Sequence, residues 1–149
     1  MELLDYQTLY QEILQQLESL EAIVLATCAA EKVTARTMCP VNEGLQIFFG
    51  TNASSEKAAQ MRRQPHIALA AGNMQIEATA RLLGHPDSQP AFKKRYVEKY
   101  PQFGDLYPTT PDSLVVAAYP SVIKLYKYKG GPCEEVLDVS GQKAYRNRF

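Results

Sequence analysis

The sequence predicts one α+β domain built around an antiparallel β-barrel of about six strands, with helices at its periphery. The chain has 149 residues, the length of a single ordinary domain. Its short apolar runs follow one another closely, whereas a parallel α/β sheet needs a helix after each strand. Residues 74–83 alternate apolar and polar side chains, which is typical of a strand with one buried face. We therefore expect residues 1–149 to fold as one domain.

Residues 1–21 are predicted to contain an amphipathic helix. Their apolar side chains recur every three or four residues and fall on one stripe, formed by Tyr10, Ile13, Leu14, Leu17 and Leu20. The opposite face carries glutamine and glutamate and no basic residue, which favours a solvated helix over a membrane anchor.

The barrel, with its inserted helices, is predicted over residues 22–139. Its strands are short runs rich in β-branched, aliphatic and aromatic residues, at 23–28, 33–41, 45–49, 67–71, 74–83, 114–119 and 122–128. Short loops join the first three, which predicts an antiparallel meander, and Pro120 separates the last two. Helices are predicted at 56–63, which Pro65 ends, and at about 90–100. The polar tail, 140–149, is expected to fray.

Composition excludes several classes of protein. Sixteen basic and sixteen acidic residues give a formal net charge of zero, so the broad positive field of a nucleic-acid-binding protein is absent. Cys28, Cys39 and Cys133 are odd in number and lack CxxC spacing, which indicates reduced thiols and predicts no metal site. We see no secretory signal and no apolar run near 20 residues. A cytoplasmic protein that binds neither nucleic acid nor membrane is expected.

No standard catalytic motif is present, but a set of anion-binding residues is. Arg36 lies within the second predicted strand, where its side chain points to one face. Thr51, Ser55 and Lys57 cluster where a strand end meets a helix N-terminus, which suits a phosphate group. The alternative is a capped helix beside a surface ion pair. These residues alone leave both interpretations open.

The order of three segments along the chain favours the phosphate site over the capped helix. Residues 35–40 (ARTMCP), 47–52 (IFFGTN) and 55–57 (SEK), followed by Gln60-Met61 and Pro65, resemble the pyridoxamine 5'-phosphate oxidase-like flavoproteins over roughly residues 22–128. The resemblance implies a split barrel of the FMN-binding type. It also implies a homodimer with FMN at the subunit interface.

The resemblance assigns roles to particular residues. Arg36 would bind the FMN phosphate, and the strand that continues through Thr37, Met38 and Cys39 would lie along the flavin ring. The other cofactor-binding positions that it implies are Thr51, Ser55 and Lys57 at the phosphate, and Asn73 and Gln75 against the flavin. It identifies no catalytic side chain, because the flavin itself would carry the hydride or electron.

Departures from the family pattern restrict the expected activity. Glu56 stands where the pyridoxal-forming oxidases have arginine, and Val41 stands where they have lysine. The chain has no tryptophan, and we expect it to lack the C-terminal segment with which those enzymes cover flavin and substrate. We therefore do not expect a vitamin B6 phosphate oxidase.

Two functional hypotheses follow. The first is an FMN-dependent oxidoreductase that reduces a small molecule with NADH or NADPH as donor, a class to which the nitroimidazole-reductase-like members of the family belong. The second is a non-catalytic flavin- or haem-binding module that serves as a sensor or carrier. Turnover in the presence of a donor and an acceptor distinguishes them.

Overall fold

The computed structural model describes all residues, Met1–Phe149, and contains ten strands and three α-helices. In chain order they are β1 (Glu2–Leu4), α1 (Tyr6–Ser19), β2 (Ile23–Ala29), β3 (Lys32–Met38), β4 (Val41–Glu43), β5 (Gln46–Asn52), α2 (Glu56–Arg63), β6 (His66–Ala71), β7 (Met74–Gly84), α3 (Pro90–Lys99), β8 (Ser113–Tyr128), β9 (Pro132–Asp138) and β10 (Lys143–Arg148). Short 3₁₀ turns at Pro86–Ser88 and Pro101–Phe103 flank α3.

Six strands form the barrel wall in the order β3-β2-β6-β7-β8-β5, and every pair is antiparallel. The two end strands do not pair with each other, because β3 pairs only with β2, and β5 pairs with β4 and β8. The barrel is therefore split between β3 and β5. This arrangement confirms the predicted class of an antiparallel six-stranded split barrel with peripheral helices.

Strand β8 is the longest element and holds the two halves of the sheet together. One edge pairs with β7 along most of its length, while the other edge pairs first with β5 and then with β9. The predicted break at Pro120 is wrong, because residues 113–128 form one strand. The register shifts at Pro120, and proline is tolerated at such an irregularity because no ladder hydrogen bond is needed from it.

Two further sequence expectations are wrong. The first three predicted strands do not form a meander, since β5 leaves the β2–β3 hairpin and pairs with β8 instead. The tail does not fray, since β10 pairs with both β9 and β1. The sequence of β10 did not predict a strand because it is mostly polar, and only Ala144 in it is fully buried.

A buried ion cluster binds these additional strands to the barrel. The side chain of Glu135 on β9 is 5% exposed and contacts Lys127 Nζ at 2.7 Å and Arg146 Nη2 at 2.6 Å. Burial acts to raise the pKa of Glu135, but hydrogen bonds from Lys127 and Arg146 outweigh it and lower the pKa. The same two cations pair with Glu12 on α1 and Glu2 on β1. The cluster thus connects both ends of the chain.

The predicted periodicities account for the main core. Strand β7 buries Met74, Ile76, Ala78 and Ala80 and exposes the residues between them, as its alternation predicts. Helix α1 is shorter than the predicted 1–21 segment and buries Leu9, Ile13 and Leu17, with Leu14 only half-buried. None of the three helices is both long and apolar enough to cross a bilayer.

Candidate functional site

A cleft of about 430 Å³ opens where the barrel is split. Strand β3 forms one wall and β5 the other, α2 contributes at one end, and the segment before β8 contributes at the side. The lining residues are Arg36, Thr37, Met38, Gly50, Thr51, Asn52, Lys57, Tyr107, Pro108, Thr110 and Ser113. Its volume lies within the range of small-molecule sites.

A lysine and two hydroxyl groups meet at the α2 end of the cleft. Lys57 Nζ donates a hydrogen bond to Thr51 Oγ1 at 3.0 Å, and Thr51 Oγ1 lies 3.3 Å from Ser55 Oγ. Ser55 is also the N-cap of α2, since its hydroxyl accepts from the backbone N–H of Ala58 at 3.2 Å. The positive end of the helix dipole therefore lies beside the lysine.

Arg36 is held in place by hydroxyl groups. Its Nη1 donates to Thr27 Oγ1 at 2.7 Å, and its Nη2 donates to Thr34 Oγ1. Both threonine hydroxyls in turn donate to Gln60 Oε1 on α2, which is 2.7 Å from Thr34 Oγ1. Gln60 is buried and also donates from Nε2 to the carbonyl of Lys32. The guanidinium is thus oriented without being neutralised.

The two cations of the cleft have no carboxylate partner. Burial lowers the pKa of Lys57, and the charge of Arg36 lowers it further. Burial also lowers the pKa of Arg36, and the charge of Glu56 opposes this effect. Glu56 itself pairs with Lys32 at 2.9 Å, and both of these side chains are more than half exposed. Two positive groups that repel each other and face the same cleft favour binding of a dianion.

The structure brings together six of the nine predicted cofactor-binding residues. Arg36, Thr37, Met38, Thr51 and Lys57 line the cleft, and Ser55 lies behind Thr51. This grouping follows from the split between β3 and β5, which leaves the facing sides of both strands open to the cleft.

The other three residues lie elsewhere. Cys39 is half-buried against a small cluster that includes Val41 and Phe92. Asn73 lies in the turn between β6 and β7, where its side chain accepts from Gln16 Nε2 at 2.8 Å and donates to the carbonyl of Tyr126 at 2.9 Å. Gln75 is exposed on the outer face of β7. None of these three side chains lines the cleft within one chain.

Sequence reasoning singled out no individual residue on the side of the cleft formed by residues 107–113. The only signal there was an irregular stretch rich in proline and tyrosine. Tyr107 packs its ring edge-on against Phe92 and Tyr96, with centroids 5.1 and 4.8 Å apart. Its hydroxyl group lies against Gly50, where a Cβ atom would overlap it. A glycine at position 50 is therefore required for this arrangement.

Comparison with known proteins gives a consistent result. The family model described as pyridoxamine 5'-phosphate oxidase matches residues 9–126. This range contains every residue that lines the cleft. No curated protein matched the chain.

Solved structures share the fold at low sequence identity. A pyridoxamine 5'-phosphate oxidase-related, FMN binding protein from Nostoc punctiforme superposes with a TM-score of 0.65 at 17% identity, over 100% of this chain and 99% of that one. A protein related to general stress protein 26 from Clostridium acetobutylicum has a TM-score of 0.69 at 16% identity, over 93% and 99%. An FAD-binding protein from Mesorhizobium loti has a TM-score of 0.59 at 10% identity, over 76% and 90%.

Replacement of Gln60 tests the network that orients Arg36. We expect Gln60→Leu to lower the free energy of unfolding by about 1–3 kcal/mol, because the hydroxyls of buried Thr27 and half-buried Thr34 lose their acceptor. The control is Gln15→Leu on the exposed face of α1, which should change stability by less than about 0.5 kcal/mol. Urea denaturation measures the free energy of unfolding of both variants. Equal effects of the two substitutions would contradict a supporting role for Gln60.

Proposed function

The chain belongs to the pyridoxamine 5'-phosphate oxidase family, and from this premise we propose that it binds FMN in the cleft between β3 and β5 and acts as an oxidoreductase on a small molecule. The observation that carries the proposal is the pair of cations, Arg36 and Lys57, which face the cleft without a carboxylate partner. The phosphate group of FMN, which is negatively charged near neutral pH, would compensate the charge of these two cations.

The hydrogen-bond donors and positive charges of the cleft suit the phosphate group of FMN. Arg36 can offer its guanidinium fork to phosphate oxygens, and Lys57 can offer a mobile point charge. The hydroxyl groups of Thr51 and Ser55 lie beside the N-terminus of α2, which also favours a phosphate. Two proteins with the same fold, one described as FMN binding and one as FAD-binding, support the proposal that the cleft binds a flavin.

Strand β3 would position the ring. Thr37 and Met38 follow Arg36 along the cleft wall, and we propose that they and the adjacent backbone at Cys39 lie along the flavin. Bound FMN would supply the hydride or electron chemistry, with NADH or NADPH as the donor. The side chains of the chain would hold the phosphate, orient the ring and exclude water.

Oxidation of pyridoxine or pyridoxamine 5'-phosphate is not the reaction we propose. That reaction needs cationic side chains to hold a substrate phosphate beside the flavin. Glu56 is instead engaged with Lys32 at the surface, and Val41 is 2% exposed within a small apolar cluster. Neither position therefore provides a positive charge that could bind the phosphate group of a substrate.

We further propose that two copies assemble around the flavin. Asn73 and Gln75 lie outside the cleft of one chain, so they would meet a flavin only in a second copy. The outer faces of β2 and β3 expose Val24 and Val33, and this apolar surface suits an interface. The apolar strand at 114–119, which its sequence alone would favour as an interface, instead buries Leu114–Ala118 within the chain itself.

Flavin binding is tested by comparing FMN with riboflavin, which lacks the phosphate. We expect the chain to bind FMN, and we expect Arg36→Ala and Lys57→Ala each to raise its Kd by about tenfold or more, since a charge-assisted contact is lost. The Kd for riboflavin should not change. Flavin fluorescence quenching measures both, and circular dichroism checks folding.

Matched controls for this experiment are Arg63→Ala and Lys94→Ala, which remove exposed cations away from the cleft. Their FMN affinity should equal that of the wild type. If all four variants bind FMN like the wild type, or if riboflavin binding falls in parallel with FMN binding, the phosphate site is assigned incorrectly.

Catalysis is tested on protein saturated with FMN. We expect it to consume NADH or NADPH when a small electrophilic acceptor is present, and to form no pyridoxal 5'-phosphate from pyridoxamine 5'-phosphate. Absorbance at steady state follows both reactions. Tight FMN binding without consumption of either donor would favour the non-catalytic module, and rapid formation of pyridoxal 5'-phosphate would refute our interpretation of Glu56 and Val41.

Assembly is tested by sedimentation at micromolar concentration in the presence of FMN, where we expect a dimer. Val33→Glu introduces a charge on the exposed face of β3 and should shift the protein towards a monomer. Leu106→Glu, which is also highly exposed but lies on the segment before β8, is the control. A wild-type monomer under these conditions would argue against the dimer.

A further inference from the structure

The segment that joins α3 to β8 lies along one side of the cleft and is anchored by aromatic packing at Tyr107 and by hydrogen bonds at Thr110 and Asp112. Residues 101–112 carry exposed side chains, including Phe103 and Leu106, whereas Tyr107 is only partly exposed. The ring of Tyr107 is fixed by perpendicular contacts with Phe92 and Tyr96 on α3. A side chain held from two sides loses little further freedom when it binds a ligand.

Tyr107 lines the cleft, and its hydroxyl group lies against Gly50 and forms no hydrogen bond within the chain. Tyr100, from the same aromatic cluster, differs because its hydroxyl donates to the carbonyl of Pro40. Burial raises the pKa of Tyr107, and the neighbouring Tyr96 adds to this effect. The phenol therefore stays protonated and can act as a donor at neutral pH.

Gly50 provides the space that this hydroxyl group occupies. A Cβ atom at position 50 would overlap the Tyr107 hydroxyl and would lie 3.1 Å from Tyr107 Cζ. The φ angle of Gly50 is not in the left-handed region, so backbone conformation does not require glycine there. The requirement comes from the close approach of Tyr107.

We propose that Tyr107 is a ligand-contacting residue of the cleft, whose hydroxyl group donates a hydrogen bond to the bound flavin. The inference rests on the proposed function, because it assigns the ligand of the cleft as FMN. It adds a contact from a segment that neither the family resemblance nor the comparisons assign. Tyr107 and Gly50 act together, since the tyrosine reaches the ligand only while position 50 has no side chain.

The first test removes only the hydroxyl group. Tyr107→Phe in the full chain should raise the Kd for FMN by about two- to tenfold, the range expected for one neutral hydrogen bond. Tyr96→Phe is the matched control, because it removes a hydroxyl from the same aromatic cluster but not from the lining of the cleft. Its Kd should equal that of the wild type. An unchanged Kd for Tyr107→Phe, or equal weakening by both variants, would overturn the proposal.

A double-mutant cycle tests the dependence on Gly50. Gly50→Ala should weaken FMN binding in the wild type, because its methyl group displaces the Tyr107 hydroxyl. In a Tyr107→Ala background the same substitution should have no further effect, since nothing remains to displace. Equal losses in both backgrounds would mean that the methyl group obstructs the flavin directly, and would overturn the proposed coupling.

The outcomes separate this inference from the function on which it rests. A wild-type chain that binds no FMN refutes both. Wild-type affinity that depends on Arg36 and Lys57 but not on Tyr107 preserves the proposed function and refutes the tyrosine contact. Should Gly50→Ala fail to fold, the comparison of Tyr107→Phe with Tyr96→Phe still decides the question.

Discussion

The lack of hydrogen bonding between β3 and β5 is the constraint on which the site depends. A closed barrel would pair these strands and bury their side chains against each other. Because β5 pairs with β8 and β4, the facing sides of β3 and β5 stay open and form the walls of a cleft. The opening costs ladder hydrogen bonds, and the long strand β8 offsets this by pairing along both of its edges.

Positive charge in that cleft is maintained by how its cations are held. A carboxylate beside Arg36 would stabilise the guanidinium but would also compete with an incoming anion. Thr27 and Thr34 orient the group instead, and buried Gln60 on α2 accepts from both hydroxyls. This arrangement fixes the geometry of Arg36 while its charge remains available. Helix α2 also carries Lys57, so the position of this one helix determines where both cations lie.

The walls of the cleft come from segments that are far apart in the sequence. Arg36 and Thr51 belong to different strands, and Tyr107 belongs to an irregular segment more than 50 residues later. Each segment is anchored separately, the first through hydroxyl groups, the second through pairing with β8, and the third through aromatic contacts and hydrogen bonds at its β8 end. The cleft therefore combines two strand walls with one irregular side, which is held by aromatic packing and hydrogen bonds.

The sequence by itself determined the features that depend on neighbouring residues. The alternation in β7, the helix at 56–63 and the stripe on α1 could be predicted because strand period, helix start and stop signals and helix period are local properties. The residues themselves grouped Arg36 with Lys57 as candidate anion-binding side chains, and the resemblance to a known family favoured a shared phosphate site over a capped helix. Only the tertiary structure decided that β5 pairs with β8, that polar β10 is a strand, and that Tyr107 meets Gly50. These contacts join residues far apart in the chain, and their stability comes from packing and pairing partners that no local pattern specifies.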